Sequence, residues 1–231
     1  MPEKESEKEY LKSVELEPNN TARYNQVAEF YLKMNRPEDL LSSLKKYNES
    51  DLADVIFVWA EALIISGNKN EAFDSVCKFA KSYKEYLYEF VGEAFIWMEE
   101  YDSARLYLES ALNSGDDIIF LPAFQVYLAL SYAKTNQHQQ AQVIINQLID
   151  KSEVTSVGSP EYFLGWYYSG IGKIDSTFYW LEKAYDKHSP EMPWLKVTPV
   201  FINLKNDARY RDLYARTGHK AYDEYLEGMK K

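Results

Sequence analysis

The chain has 231 residues, 46% hydrophobic and 27% charged, with nine glycines and eight prolines, which suits a packed globular protein and excludes collagen-like or low-complexity sequence. Its formal net charge of −10 argues against nonspecific contact with nucleic acid or anionic membrane. The lone Cys77 excludes a disulfide framework or multi-cysteine metal site, and no apolar run is long enough to span a membrane.

Residues 1–19 begin with alternating charge (Glu3, Lys4, Glu5, Glu7, Lys8, Glu9), lack the apolar stretch of a signal peptide, and carry Tyr10, Ser13 and Pro18 at the spacing of the second half of a helical hairpin. The segment reads either as an N-terminal capping helix with a polar outer face or as the remaining half of a truncated repeat.

From residue 20 onward, apolar residues recur at three- and four-residue steps: Tyr24, Val27, Ala28, Tyr31; Ile56, Trp59, Ala60, Leu63; Tyr88, Val91, Gly92, Phe95. That period predicts helices, and short polar turns such as Ser66-Gly67-Asn68-Lys69-Asn70 predict that they pair antiparallel.

The pairs repeat. Ala60, Gly92, Ala129 and Gly165 each follow a larger apolar residue and precede, by three residues, Leu63, Phe95, Tyr132 and Tyr168. Twelve residues beyond each small residue stand Ala72, Ala104, Ala141 and Thr177. Four further on come Val76, Leu108, Ile145 and Leu181, and three beyond those Phe79, Ala111, Leu148 and Ala184. Ala28, Tyr31, Leu40 and Leu44 form an earlier copy, so residues 20–188 read as five hairpins. Small residues on both helices permit close approach, and each hairpin leaves an apolar face that only a neighbour can cover.

This pattern resembles the tetratricopeptide repeat (TPR), with its aromatic, Leu-Gly, Tyr, then Ala, Phe, Ala and Pro. The resemblance implies an all-α protein, a right-handed αα superhelix in a single solenoid over 1–231, whose first helices line the concave side. Residues 189–231 read as a C-terminal cap. Within 178–216, Trp194-Leu195-Lys196-Val197-Thr198-Pro199-Val200-Phe201, then Leu204, Asp207, Arg209-Tyr210 and Leu213, are similar to a tail that follows the last repeat in bacterial regulators, cyclases and kinases. Thr198 stands where that family has Asp, and Ala208 where it has Pro.

Residues 51–120 hold fourteen acids and five bases, so the negative charge sits mid-chain. On the concave face that the resemblance implies, the expected peptide-binding groove comprises Asn25, Glu29, Phe57, Glu61, Ile64, Glu89, Glu93, Ile96, Trp97, Val126, Tyr162 and Trp166. Glu29, Glu61 and Glu93 recur once per hairpin, either merely solvated or paired with neighbouring lysines, or else attracting a basic or amphipathic segment of a partner protein. Most of the 36 aromatics (Tyr 20, Phe 11, Trp 5) fall on interhelical positions, leaving Phe57, Trp97, Tyr162 and Trp166 as anchors in want of a partner. TPR proteins that hold acidic chaperone tails line the groove with Lys and Asn; the glutamates here have the wrong sign for that.

Nothing marks a catalyst. His138, His188 and His219 lie far apart and read as surface residues. Cys77 sits among Val76, Phe79 and Ala80 and reads as a structural thiol. Gly170-Ile171-Gly172-Lys173 lacks the strand and the following Ser/Thr of a phosphate loop and reads as a hairpin turn. The sequence therefore predicts no cofactor, no metal site, no nucleic-acid partner and no direct membrane contact. It predicts a non-enzymatic protein- or peptide-binding scaffold, serving as the interaction or sensory part of a larger bacterial regulator, with a structural or homodimerising module as the alternative. A cytoplasmic location is expected, with a periplasmic or extracellular piece of a longer protein as the other option.

Overall fold

The computed structural model describes residues 2–17, 20–44, 56–82, 88–115, 117, 121–155 and 157–229. Pro18 and the side chains of Lys4, Glu5 and Leu44 lie outside what is described. The described residues form α-helices and one 3₁₀ turn, with no strand among them, so the fold is all-α. In chain order the helices are α1 (Pro2–Leu16), α2 (Thr21–Lys33), α3 (Pro37–Leu44), α4 (Ile56–Ile65), α5 (Lys69–Ser82), α6 (Tyr88–Trp97), α7 (Tyr101–Ser114), α8 (Pro122–Lys134), α9 (His138–Val154), α10 (Pro160–Gly170) and α11 (Ile174–Asp186). The 3₁₀ turn Met192–Lys196 follows, then α12 (Pro199–Ile202), α13 (Ala208–Arg216) and α14 (His219–Met229).

Two compact units are present: Met1–Ser82 with Gly218–Lys231, and Tyr83–Thr217. In the first, α1 packs on α2, α2 on α3 and α4, and α4 on α3 and α5. Arg36 ties α1 to this group: its guanidinium reaches Glu7 at 2.9 Å and Asp39 at 2.6 Å and lies 4.9 Å above the Tyr31 ring. In the second unit α6 pairs with α7, α8 with α9 and α10 with α11. Each first helix also contacts the next first helix (α6 with α8, α8 with α10), and α7 and α9 pack on the first helix that follows.

The repeat register is what the core is made of. Ala28, Ala60, Gly92, Ala129 and Gly165 are all buried, as are Ala72, Ala104, Ala141 and Thr177. Val76, Leu108, Ile145 and Leu181 are completely enclosed. Each such branched side chain stabilises its hairpin by about 1.5–3 kcal/mol relative to exposure. Glycine at 92 has a steric reason. A Cβ there would sit 2.5 Å from Leu108 Cγ, so α6 and α7 approach more closely than alanine allows.

Each hairpin turns in the same way. Asn35, Gly67, Glu99, Asn136 and Gly172, one per hairpin, take left-handed backbone angles (φ 55°, 84°, 62°, 63° and 75°). The next residue's N–H reaches five residues back, Arg36 to Tyr31 O, Asn68 to Leu63 O, Glu100 to Phe95 O, Gln137 to Tyr132 O and Lys173 to Tyr168 O. This closes the carbonyls that the helix end would otherwise leave open. Starts are marked as consistently: proline opens α3, α8, α10 and α12, and Asn20 and Asp207 accept backbone N–H bonds as N-caps of α2 and α13. Gly170-Ile171-Gly172-Lys173 ends α10 and forms the turn into α11.

Candidate functional site

Within the first unit, Glu29 on α2 is exposed and pairs with Lys33 at 3.0 Å, one turn along. Asn25 is half-buried, and its Oδ1 is enclosed without a hydrogen-bond partner. On α4, Phe57, Glu61 and Ile64 are half-buried, and the Phe57 ring meets Phe79 edge-on at 5.4 Å.

Six of the expected groove residues, all in the second unit, are buried by their own chain: Glu89, Ile96 and Trp97 on α6, Val126 on α8, and Tyr162 and Trp166 on α10. The expectation of open aromatic anchors at Trp97, Tyr162 and Trp166 is therefore corrected. The reason is the C-terminal segment, which packs on these helices. The Tyr162 hydroxyl shares a hydrogen bond of 3.0 Å with Thr198 Oγ1, and the Tyr162 ring lies 5.8 Å from Phe201. Trp166 lies 6.3 Å from Phe201, and Trp97 stands edge-on to both Trp166 (5.9 Å) and Trp194 (6.0 Å). Ser169 on α10 donates to Val200 O at 2.6 Å. Of the four anchors in want of a partner, Phe57 alone keeps appreciable exposure.

Glu93 is different. It is half-buried on α6, and the Tyr127 hydroxyl on α8 donates to its Oε1 at 2.9 Å. Burial raises its carboxyl from the usual carboxylate range to about 7, against a smaller opposing pull from the Tyr127 hydrogen bond. Tyr127 is buried, 5.1 Å from the Trp166 ring and 6.1 Å from that of Phe163. Sequence reasoning missed Tyr127. The signal was the position two residues before the small residue, which reads Gln26, Val58, Phe90, Tyr127 and Phe163 and carries a hydroxyl only in the fourth hairpin.

Glu161 and Arg105 in this unit are ion-paired, although Glu161 Oε2 and Arg105 Nε, like Glu191 Oε2, are enclosed without a hydrogen-bond partner. Glu161 is fully buried in the first turn of α10 and pairs with Lys187, whose Nζ also donates to Ser152 O at 2.9 Å. Arg105 and Glu109 pair at 3.1 Å. The indole Nε1 atoms of Trp97 and Trp166, in side chains 4% and 3% exposed, likewise have no hydrogen-bond partner.

Of the three histidines, His138 and His188 are exposed, whereas His219 at the start of α14 is buried, contrary to expectation. Cys77 is half-buried, and burial pushes its thiol up, away from the thiolate a nucleophile needs. Among the described residues no three His, Cys, Asp or Glu side chains gather as a metal site would require, and no helix is long and apolar enough to cross a membrane. In comparisons with known proteins, no family model, curated protein or solved structure matches the chain.

Proposed function

We propose that the chain is an interaction module of the tetratricopeptide kind, without enzymatic activity, that binds protein or peptide on the first helices of its hairpins. One observation supports this reading above others. The small residue and the positions twelve and sixteen places beyond it are buried wherever they are described, while the position just after the small residue carries Glu29, Glu61 and Glu93 in the first three hairpins, all at least partly accessible. A constant scaffold with accessible charge at one recurring position is the arrangement a peptide-binding repeat needs. The tail resemblance favours service within a larger bacterial regulator.

The test is a pull-down and peptide-array comparison of the full chain with the triple variant Glu29→Gln, Glu61→Gln, Glu93→Gln, at low and high salt. Wild type is expected to retain basic peptides in a salt-sensitive manner, and the variant to lose most of them. Identical partners for both proteins at both salt concentrations would sink the reading. A homodimer is the second reading, favoured by Leu106, Val143 and Tyr179. These stand at one register position on α7, α9 and α11 and are 58%, 58% and 55% exposed. Sedimentation equilibrium decides it, since a monomer at every concentration excludes the dimer.

A further inference from the structure

We propose that the second helices of the second unit pair two-fold symmetrically with those of a second copy of this chain, each helix antiparallel to its copy, with Val143 at the centre of the contact. This pairing rests on the homodimer reading, gives it a face and a geometry, and leaves the first helices outside the contact. Leu106, Val143 and Tyr179 each stand fourteen residues beyond the small residue of their hairpin. Like positions in stacked hairpins lie side by side. α7 and α9 both pack on α8, and the ion pair Glu153–Lys183, at 3.2 Å, joins α9 to α11. The three side chains, each more than half exposed, therefore form one apolar row with Val143 in the middle. The same position on α5, in the first unit, carries Asp74.

Charge selects a second copy as the occupant. The chain carries a net charge of −10, so its copies repel unless they meet where acid is absent or offset. Residues 118–149 hold no Asp or Glu, and from Gln139 to Gln147 the exposed side chains of α9 are five amides and Val143. Around the row, Glu109 pairs with Arg105 at 3.1 Å, Asp175 with Arg209 at 2.8 Å and Glu182 with Arg216 at 2.6 Å, while Asp102 and Asp150 are exposed at its margin. An uncharged centre inside an ionic rim is the anatomy of a protein interface. A strongly basic or acidic partner gains nothing at that centre.

The residues four places before and after each member of the row fix the direction of pairing. They are Asp102 and Ser110 on α7, Gln139 and Gln147 on α9, and Asp175 and Lys183 on α11, all at least partly exposed. A two-fold axis along the row turns each helix antiparallel to its copy and sets the residue before against the residue after. Asp175 then faces Lys183, Gln139 faces Gln147 and Asp102 faces Ser110. Opposite charges meet, and amides, each both donor and acceptor, meet amides. An axis along the helices would instead set Asp102 of each copy against Asp175 of the other, a like-charge contact made twice.

Sedimentation equilibrium of the full chain is expected to show a monomer–dimer equilibrium with Kd in the micromolar range. Raising salt should keep or tighten the dimer, because it screens the repulsion between two acidic chains. Val143→Lys, which sets two ammonium groups together, should raise Kd at least about tenfold. Leu16→Lys, at an exposed apolar residue away from the row, should leave it unchanged, and thermal melts establish that both variants fold. Oxidative cross-linking in a Cys77→Ser background reads the direction. Val143→Cys should form a covalent dimer. Gln139→Cys and Gln147→Cys should not cross-link alone but should do so when mixed, since like copies lie about 12 Å apart along the helix and unlike ones face each other. A dimer that salt dissociates, a dimer unaffected by Val143→Lys, no cross-link at Val143→Cys, or Gln139→Cys linking to itself would overturn this pairing while leaving the homodimer reading intact. A monomer at every concentration would leave the row to an unlike partner and overturn both.

Discussion

Gly92→Ala tests the close approach of α6 and α7. The new Cβ would lie 2.5 Å from Leu108 Cγ, 2.8 Å from its Cδ2 and 3.4 Å from Ala104 O. Carbon atoms pack at about 3.5–4.0 Å, so Leu108 must retreat by about an ångström, and it is fully enclosed. Overpacking of this kind costs about 1–3 kcal/mol. Alanine returns about 1 kcal/mol through its better helix propensity. With an overpacking cost of about 2 kcal/mol, the middle of that range, the net expectation is a loss of about 1 kcal/mol, read as a lower urea midpoint in a circular-dichroism titration. Gly165→Ala is the internal control. There the added Cβ meets Leu181 at 3.0 Å, a conflict of a few tenths of an ångström, and the two contributions should roughly cancel. Leu108→Ala alone should cost about 2–5 kcal/mol, but combined with Gly92→Ala it should cost less than the sum, because the new methyl enters the space vacated. A Gly92→Ala protein as stable as wild type, or strict additivity in the double variant, would refute the steric argument.

Three further outcomes follow from neighbouring features. Glu99 is exposed with φ 62° where two of the other hairpin turns use glycine, so Glu99→Gly should stabilise by about 0.5–1 kcal/mol and Gly172→Ala destabilise by about 1 kcal/mol in thermal melts. Folding favours the protonated form of Glu93, whose folded pKa is about 7 against an unfolded value of 4.5. The stability it contributes is therefore present below pH 4.5 and lost as pH rises through 7. The full difference is at most about 3 kcal/mol, reduced by the water that reaches this half-buried group, and Glu93→Gln should remove that part of the slope when urea midpoints are compared at pH 5 and pH 8. Lys187→Met strands the buried Glu161 carboxylate and should cost about 2–4 kcal/mol in urea denaturation, much of it recovered by adding Glu161→Gln; a full cost in the double variant would contradict the pairing.

The hairpins were legible because their packing is local. Residues twelve and sixteen places beyond each small residue meet it across a single turn, and the burial of Ala104, Leu108, Thr177 and Leu181 follows that count. The site was legible only in part. Glu93 stood out by its recurrence, but its partner Tyr127 belongs to the next hairpin, at a position that carries no hydroxyl in any other hairpin. The enclosure of Trp97 and Trp166 had no periodic signal. Their covers, Trp194 and Phe201, lie in a segment outside the repeat, and a pattern that compares like positions cannot report contacts between unlike ones. His219 was misjudged for the same reason, since the burial of a residue beyond the last hairpin has no register to predict it.

The contact of Trp97 with Trp194 joins the first helix of the second unit to the segment after its last hairpin. A stack held only by adjacent pairs can melt from either end, one hairpin at a time, like a zip. A stitch between the first and last members removes that freedom, because opening either end exposes rings that belong to the other. Amide hydrogens of α6 and α10 should therefore exchange with nearly the same opening energy, with no gradient from one end of the unit to the other.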